Sequence, residues 1–217
     1  MASQPTLVVF AGVNGAGKST FYQSGLWREC DTDSRMSRIN PDEMIVAAGK
    51  DWSSPTDQLW AGKQAVGQVR DNFAHMRSFN QETTLAGKSA VARIRKAYSL
   101  GYRVRLFYIG VDSPEVALVR IRHRVQVGGH DIRPEDVERR FSASISALGE
   151  FCRTRMRRWF STIPTALSIW LHGRMGRSVG GLPKKRRPIR GSRELFSARI
   201  GGASLRLRLN LLNARSV

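Results

Sequence analysis

Residues 12–19 read GVNGAGKS and constrain the fold more than any other part of the chain. The pattern G-x-x-x-x-G-K-S follows the apolar, β-branched run Thr6–Ala11, and residues 18–26 after it are predicted to be helical. A strand, a glycine-rich turn and a helix in this order are the context in which the pattern forms a phosphate-binding loop (P-loop). We therefore predict a P-loop here, and not a glycine-rich turn with an unrelated lysine.

Each residue type in this loop suits the binding of a nucleoside triphosphate. Glycines permit positive φ angles and bring backbone N–H groups close to phosphate oxygens, at a helix N-terminus that favours anions. The lysine supplies a positive charge for the β- and γ-phosphates, and the serine hydroxyl can bind Mg²⁺. The predicted nucleotide-binding residues are Gly12, Asn14, Gly15, Ala16, Gly17, Lys18, Ser19 and Thr20, of which Ser19 is also the predicted Mg²⁺ ligand.

Strand-like and helix-like segments alternate through the first 150 residues. The predicted strands or strand ends lie at residues 6–11, 39–40, 78–84 and 102–111, and the longer predicted helices at residues 57–76, 89–100, 114–127 and 134–148. This alternation predicts βαβ units and a parallel sheet covered on both faces. The predicted fold class is α/β: a P-loop NTPase or kinase three-layer sandwich with a mostly parallel sheet.

Two segments at predicted strand ends carry polar side chains that could act on a phosphate acceptor. Asp42 follows such an end and is a candidate general base, although it could equally cap the next helix. Glu82, Thr83 and Thr84 follow a second one. Taken alone, this Glu-Thr-Thr triplet favours a strand cap over acceptor contacts.

Arginines cluster on two neighbouring predicted helices. Arg120, Arg122 and Arg124 lie on one, Arg139 and Arg140 lie on the next, and a Gly-Gly-His sequence separates them. Like charges four residues apart destabilise a helix, so an anion that opposes them is expected. The pattern predicts an arginine-bearing helical lid over the phosphates, and a solvated basic face is the alternative.

Taken together and in this order, these segments resemble the zeta toxin family of P-loop kinases, especially its short bacterial chromosomal members. The matching segments are residues 11–20 (AGVNGAGKST), 40–43 (NPDE), 79–87 (FNQETTLAG), 101–104 (GYRV), 120–130 (RIRHRVQVGGH) and 139–141 (RRF). They are spaced over residues 6–148, which makes the match more specific than the P-loop alone.

The resemblance implies an ATP-dependent phosphotransferase acting on a sugar hydroxyl. Family members phosphorylate UDP-N-acetylglucosamine and are often paired with an antitoxin protein. Carried over by motif, the catalytic residues are Lys18, Asp42, Arg124 and Arg140, and Arg120 and Arg139 are close rivals of the two arginines. The implied substrate-binding residues are Glu82, Thr84 and Arg120, and the implied cofactors are ATP and Mg²⁺.

Charge divides the chain near residue 150. Residues 1–150 contain 20 basic and 16 acidic residues, a net charge of +4, whereas residues 151–217 contain 16 basic residues and only Glu194 as an acid, a net charge of +15. We interpret residues 1–150 as the kinase domain and residues 151–217 as an atypical, poorly ordered basic tail. The tail could bind nucleic acid or an anionic surface, have no task, or, in the preferred interpretation, result from a reading-frame change near residue 150.

Composition limits the alternatives. Two cysteines and four scattered histidines form neither a disulfide framework nor a metal-binding pattern, and no apolar run is long enough for a membrane span, so a cytoplasmic protein with a small-molecule substrate is expected. A nucleic-acid-associated NTPase is the second hypothesis. It is disfavoured because no strand ends in a Walker B run with adjacent acids, Asp112 being the nearest substitute. The third is an inactive ATP-binding remnant damaged by its C-terminus.

Overall fold

The computed structural model describes residues 4–159, 166–171, 194–200 and 203–211 of the 217-residue chain. The strands β1 to β7 are Thr6–Ala11, Ser37–Ile39, Phe79–Thr83, Arg103–Gly110, Ala166–Leu171, Glu194–Ile200 and Ala203–Leu211. The helices α1 to α6 are Lys18–Gln23, Pro41–Ala47, Pro55–Ala74, Lys88–Ser99, Pro114–Gln126 and Pro134–Trp159. A short 3₁₀ helix, Asp31–Arg35, precedes β2.

The described strands form one sheet in the order β2-β3-β1-β4-β5-β7-β6. Every neighbouring pair is parallel except β6 and β7 at one edge. Leu7 of β1 lies opposite Phe79 of β3 on one side and Val104 of β4 on the other. The predicted α/β class with a mostly parallel sheet is therefore confirmed, and the carboxyl ends of β1, β2 and β3 meet at one edge, where open α/β sheets bind ligands.

Alternate residues of β1 are buried on opposite faces of the sheet. Leu7 and Val9 pack in a core that also contains side chains of α3 and α4. Val8 and Phe10 pack in a second core with side chains of α1, α5 and α6. A run that is apolar at every position is what a strand buried on both faces requires, so the layered arrangement follows from the β1 sequence.

Two helix ends differ from the sequence prediction. The first helix ends at Gln23 rather than Leu26, because Gly25 adopts a φ of 70° and the chain turns there. The last helix continues past Leu148 to Trp159, through the charge boundary at residue 150. The other predicted helices and strands occur within a few residues of their expected positions.

Part of the predicted basic tail lies outside the described residues, including the run KKRR at residues 184–187. The described strand β5 pairs with β4, and β7 pairs with β5. The division at residue 150 and the reading-frame change stay predictions. Among the residues described, no helix has the length and apolar character needed to cross a membrane.

Candidate functional site

The P-loop connects β1 to α1 and takes the backbone shape that its glycines allow. The φ angles of Gly12, Gly15 and Gly17 are 143°, 77° and 95°. A Cβ on Gly12 would lie 2.1 Å from the Ile109 carbonyl oxygen, and one on Gly15 would lie 2.6 Å from the Ala117 carbonyl oxygen. Nothing lies within 4 Å of the same position on Gly17. Gly12 and Gly15 therefore let the loop pack on β4 and α5, while Gly17 leaves space where a phosphate can approach.

Lys18, the first residue of α1, is buried in the site. Its side chain is 7% exposed, and its Nζ donates a hydrogen bond to the Val13 carbonyl oxygen at 3.0 Å. The same Nζ lies 3.7 Å from Glu82 Oε1. Burial lowers the pKa of Lys18, and the charges of Glu82 and Asp42 act against that shift. A buried ammonium group whose protein contacts are few is suited to bind an incoming phosphate.

Glu82 lies next to the P-loop because β3 pairs with β1. The Ser19 hydroxyl is 3.3 Å from Glu82 Oε2 and 3.4 Å from Oε1. Arg38 Nη2 and Asn40 Nδ2 donate to Oε2 at 2.8 and 3.2 Å. Glu82 thus lies at the strand end beside the P-loop, and Arg38 holds it there.

The described side chains contain no cluster of three or more histidine, cysteine or acidic residues that could hold a metal ion. The Ser19 hydroxyl and the neighbouring Glu82 carboxylate are nevertheless oxygen groups of the kind that Mg²⁺ prefers. Because Mg²⁺ in kinases is bound by few protein atoms, several waters and the substrate phosphates, this pair fits the ion that the P-loop implies. Ser19 would bind the ion directly, and Glu82 would accept hydrogen bonds from its waters.

Asp42 lies in the first turn of α2, close to these charges. Asn40 caps this helix, its Oδ1 accepting a hydrogen bond from the Asp42 backbone N–H at 3.1 Å. The Asp42 side chain is 40% exposed. Partial burial, followed by the negative charge of Glu82, raises the pKa of the Asp42 carboxyl, while Lys18 and two arginines of α5 and α6 counteract the shift. Because the Asn40 side chain caps the helix, the Asp42 carboxylate is not used as a cap and remains available for chemistry.

The arginine lid consists of α5, α6 and the loop between them. Arg140 Nη1 donates to Asn14 Oδ1 of the P-loop at 3.0 Å, and Arg120 Nη1 lies 3.5 Å from the Ala16 carbonyl oxygen. Arg124 Nη2 donates to the His130 carbonyl oxygen at 2.7 Å. Arg140 and Arg120 therefore contact the P-loop, whereas Arg124 contacts the loop between the two lid helices.

Arg139 and Thr84 take other positions. Arg139 is 69% exposed and pairs with Asp136 on its own helix, so it is not directed at the P-loop. Thr84 Oγ1 lies 3.5 Å from the Ala86 backbone nitrogen, in the turn after β3. Arg140 therefore contacts the P-loop and Arg139 does not. Thr84 has a contact within the turn after β3, and its contact with the acceptor stays a prediction.

A stacked pair of aromatic rings closes the site next to Asp42. The His130 imidazole lies flat against the Trp52 indole, with ring centroids 3.6 Å apart and planes inclined by 4°. His130 Nε2 is 3.8 Å from Asp42 Oδ2. Burial and then the charge of Arg124 lower the pKa of His130 to about 4, so the ring is neutral at pH 7.

Three members of this site were not singled out from the sequence: Arg38, Trp52 and the His130 ring. Arg38 stands two residues before Asn40 on a short strand, where its outward direction towards Glu82 depends on β2 pairing with β3. Trp52 lies in the α2–α3 loop, 78 residues from His130 along the chain. Of the three, only His130 belongs to a segment that the sequence analysis names, the Gly-Gly-His sequence between the two arginine-bearing helices.

Comparisons with known proteins give a family match and one similar sequence. A family model described as an AAA domain (AAA_33) matches residues 7–148. An uncharacterized protein from Haemophilus influenzae is 33% identical over 141 residues, which are 64% of this chain and 94% of that protein.

Solved structures are similar in fold at low sequence identity. A chain of the Pnkp1/Rnl/Hen1 RNA repair complex is 17% identical with a TM-score of 0.55, and the match covers 70% of this chain but only 47% of that one. The PezAT chromosomal toxin-antitoxin system of Streptococcus pneumoniae matches at 18% identity and a TM-score of 0.52, over 78% and 69% of the two chains. A chain of the AvrRxo1-ORF1:AvrRxo1-ORF2 complex is 18% identical with a TM-score of 0.55, and the match covers 79% of this chain and 56% of that one.

The sheet order, the P-loop and the helices on both faces define a P-loop kinase-like protein of the α/β class. Within that class, the chain belongs to the AAA_33 family, whose model covers the P-loop, the Asp42 segment and most of the arginine lid.

Proposed function

We propose that this protein is an ATP-dependent kinase that transfers the γ-phosphoryl group of ATP to a hydroxyl of a small molecule, with a nucleotide sugar such as UDP-N-acetylglucosamine as the first acceptor to test. One observation carries the proposal: the Asp42 carboxylate is close enough to Lys18 of the P-loop and to Arg124 and Arg140 of the lid for their charges to act on its pKa. A P-loop that only binds a nucleotide does not need such a base. A kinase needs both a base for the acceptor and cations for the transferred group.

The transfer uses the residues of the site as follows. The backbone N–H groups of the P-loop and Lys18 bind the β- and γ-phosphates. Asp42 accepts the proton of the acceptor hydroxyl while that oxygen forms a bond to the γ-phosphorus. The bond from this phosphorus to the β–γ bridging oxygen breaks at the same time, and ADP leaves. Arg124 and Arg140 neutralise the negative charge of the phosphoryl group in the transition state of the transfer.

Ser19 would hold Mg²⁺, which when bound neutralises charge on the phosphates. Glu82 keeps its carboxylate beside Ser19 through the contacts with Arg38 and Asn40. In a variant without Glu82, the affinity for the nucleotide should therefore change little, whereas the gain in affinity that Mg²⁺ provides should become smaller.

The zeta toxin resemblance also supports a biological proposal. We propose that the kinase acts in the cytoplasm and is controlled by an antitoxin protein, a pairing that the resemblance implies. The fold similarity to a chain of the PezAT toxin-antitoxin system is compatible with this role. Its acceptor would then be a cell-wall precursor carrying a free sugar hydroxyl.

The test is mass spectrometry of candidate nucleotide sugars after incubation with the full chain, ATP and Mg²⁺. We expect a product heavier by one phosphoryl group. The product should be lost with Asp42→Asn and retained with Asp71→Asn, a control at a carboxylate that is 54% exposed on α3. Equal product from the Asp42→Asn variant would remove Asp42 from the role of base. ATP hydrolysis that is stimulated by DNA or RNA, with no sugar product, would instead support a nucleic-acid-associated NTPase.

A further inference from the structure

Asp42 has a close neighbour that the proposed transfer does not use. His130 Nε2 lies 3.8 Å from Asp42 Oδ2, and the His130 side chain is only 16% exposed. This nitrogen is buried and has no hydrogen-bond partner among the described residues. A buried polar atom without a partner is costly, so one that faces a carboxylate points to a contact made in the working enzyme.

The His130 ring is fixed from two directions. Trp52 covers one face of the ring, and its loop is braced because Gln58 Nε2 donates to the Trp52 carbonyl oxygen at 2.9 Å. The backbone is held as well, because Arg124 Nη2 donates to the His130 carbonyl oxygen and the Gly129 N–H donates to the Arg124 carbonyl oxygen at 2.8 Å. The imidazole has therefore little freedom to turn away from Asp42.

The charge state of the ring suits a hydrogen-bond donor. With its pKa lowered to about 4, His130 is neutral at pH 7. A carboxylate attracts an N–H and repels a lone pair, so Asp42 favours the tautomer with the proton on Nε2. A neutral donor orients the carboxylate without depressing the pKa of the base as strongly as an imidazolium would.

We propose that His130 is a positioning residue for Asp42: its Nε2–H holds Asp42 Oδ2, directly after a small closure or through one water, and leaves Oδ1 to take the acceptor proton. Trp52 is the platform that sets the ring in place. This inference rests on the proposed function, because it assumes that Asp42 is the base. The stacked rings also connect the lid to the Asp42 helix, because His130 belongs to the α5–α6 loop and Trp52 to the loop after α2.

The contact is tested by measuring the pKa of Asp42 with carboxyl-detected NMR on the full chain without nucleotide. His130→Leu keeps a buried side chain but removes the donor, and we expect the Asp42 pKa to rise by about 0.5–1 unit. His130→Gln retains an N–H and should stay near the wild-type value. His123→Leu, at an exposed position of α5, should leave the value unchanged.

Two further variants separate positioning from a general loss of structure. Trp52→Leu should raise the Asp42 pKa in the same direction because the ring loses its platform, whereas Trp52→Phe should retain the wild-type value. The other groups that act on Asp42, namely Glu82, Lys18, Arg124 and Arg140, are untouched in all of these variants. An Asp42 pKa in His130→Leu that equals or falls below the wild-type value overturns the proposal.

Kinetics distinguish this proposal from the function on which it rests. His130→Leu should lower kcat about tenfold, with an unchanged KM for ATP and an acid limb of the pH profile moved to higher pH. An Asp42 pKa that responds to His130 in a protein that phosphorylates no acceptor would uphold the contact and remove the proposed function. If the wild type phosphorylates an acceptor but the Asp42 pKa is the same in His130→Leu, only the positioning role of His130 is removed.

Discussion

Arg140 and Arg139 are adjacent in sequence but differ in surroundings. Arg140 donates to Asn14 of the P-loop, whereas Arg139 is 69% exposed and pairs with Asp136. Arginines that stabilise a transferring phosphoryl group contribute about 10³-fold or more to kcat. We expect Arg140→Ala to lower kcat/KM by about that factor and Arg139→Ala to change it less than about twofold, measured as initial rates of acceptor phosphorylation. Equal losses in both variants would contradict the assignment.

Protonation of Asp42 should cause kcat/KM to fall on the acid side of the pH–rate profile. Because partial burial and Glu82 raise the pKa of this carboxyl, the group loses its negative charge at a higher pH than an ordinary aspartate. A base must be deprotonated to act, so kcat/KM should fall as the pH decreases through this raised pKa. A pH–rate profile of the wild type measures the limb. A flat profile down to pH 4 would show that no such base is required.

At this scale the sequence predicts residue identities better than their contacts. Sequence motifs were enough to name Lys18, Asp42, Glu82, Arg124 and Arg140. The position of Glu82 beside Ser19 could not be foreseen, since it depends on the pairing of β3 with β1 across about 70 residues. The stacking of Trp52 on His130 depends in the same way on two loops meeting.

Among the elements, the arginine lid relies on a glycine after α5. A Cβ on Gly129 would lie 2.4 Å from Arg124 Cγ and 2.9 Å from the Arg124 carbonyl oxygen. Gly129→Ala should therefore displace Arg124 and His130 and reduce kcat about tenfold or more, as misplacement by about 1 Å does. Steady-state kinetics with ATP and the acceptor measure the loss.

Gly67→Ala provides the matched control. Gly67 lies within α3, and nothing is within 4 Å of its Cβ position. Alanine is favoured over glycine in a helix by about 0.5–1 kcal/mol, so this variant should be slightly more stable and fully active. A Gly129→Ala variant with the same activity as Gly67→Ala would mean that the lid loop does not set catalytic geometry.

Element types were predictable where the local pattern is strong, and element ends were less so. The apolar run of β1 and the proline starts of α2, α5 and α6 are local signals, and they gave the correct elements. The early end of α1 depends on the turn at Gly25, which competes with helical propensity in the residues around it. Sheet order is a long-range property, and no local pattern encodes it.

At the scale of the whole molecule, a buried ion pair between β4 and the 3₁₀ helix is expected to contribute strongly to the free energy of unfolding. Arg105 is 1% exposed, and its Nη1 donates to Asp33 Oδ2 at 2.7 Å. Asp33→Ala would leave this buried charge with Glu29 as its remaining acidic partner, and we expect a loss of about 3 kcal/mol in the free energy of unfolding. Asp136→Ala, at the exposed pair with Arg139, should cost less than about 1 kcal/mol. Urea denaturation compares the two variants.

The same pair predicts how stability depends on pH. Although burial opposes its ionisation, hydrogen bonds from the Glu29 backbone and from Arg105 lower the pKa of Asp33. A carboxyl with a lowered folded-state pKa stabilises the fold above its unfolded pKa, and this contribution is lost as the pH falls. The stability difference between the wild type and Asp33→Ala should therefore shrink below about pH 4. A difference that stays constant from pH 7 to pH 3 would exclude the linkage.

The family match and the charge distribution change at nearly the same position. The family model ends at residue 148, and the net charge rises after residue 150. This coincidence favours the interpretation that residues 151–217 come from a changed reading frame. In the zeta toxin family that residues 6–148 resemble, the pattern continues with an acidic, apolar strand that ends near Asp-Asn-Ser. We expect translation of a neighbouring frame of the gene to restore this strand. Its absence from both other frames would contradict this interpretation.

The central claim is that the P-loop delivers its phosphoryl group to an acceptor hydroxyl through Asp42. The most direct measurement is ADP release from ATP and Mg²⁺, with and without UDP-N-acetylglucosamine, for the wild type and Asp42→Asn. The account predicts acceptor-stimulated ADP release that matches the amount of phosphorylated sugar, and loss of that stimulation in Asp42→Asn while ATP still binds. ADP release that the sugar does not stimulate, and that DNA or RNA does, would contradict it.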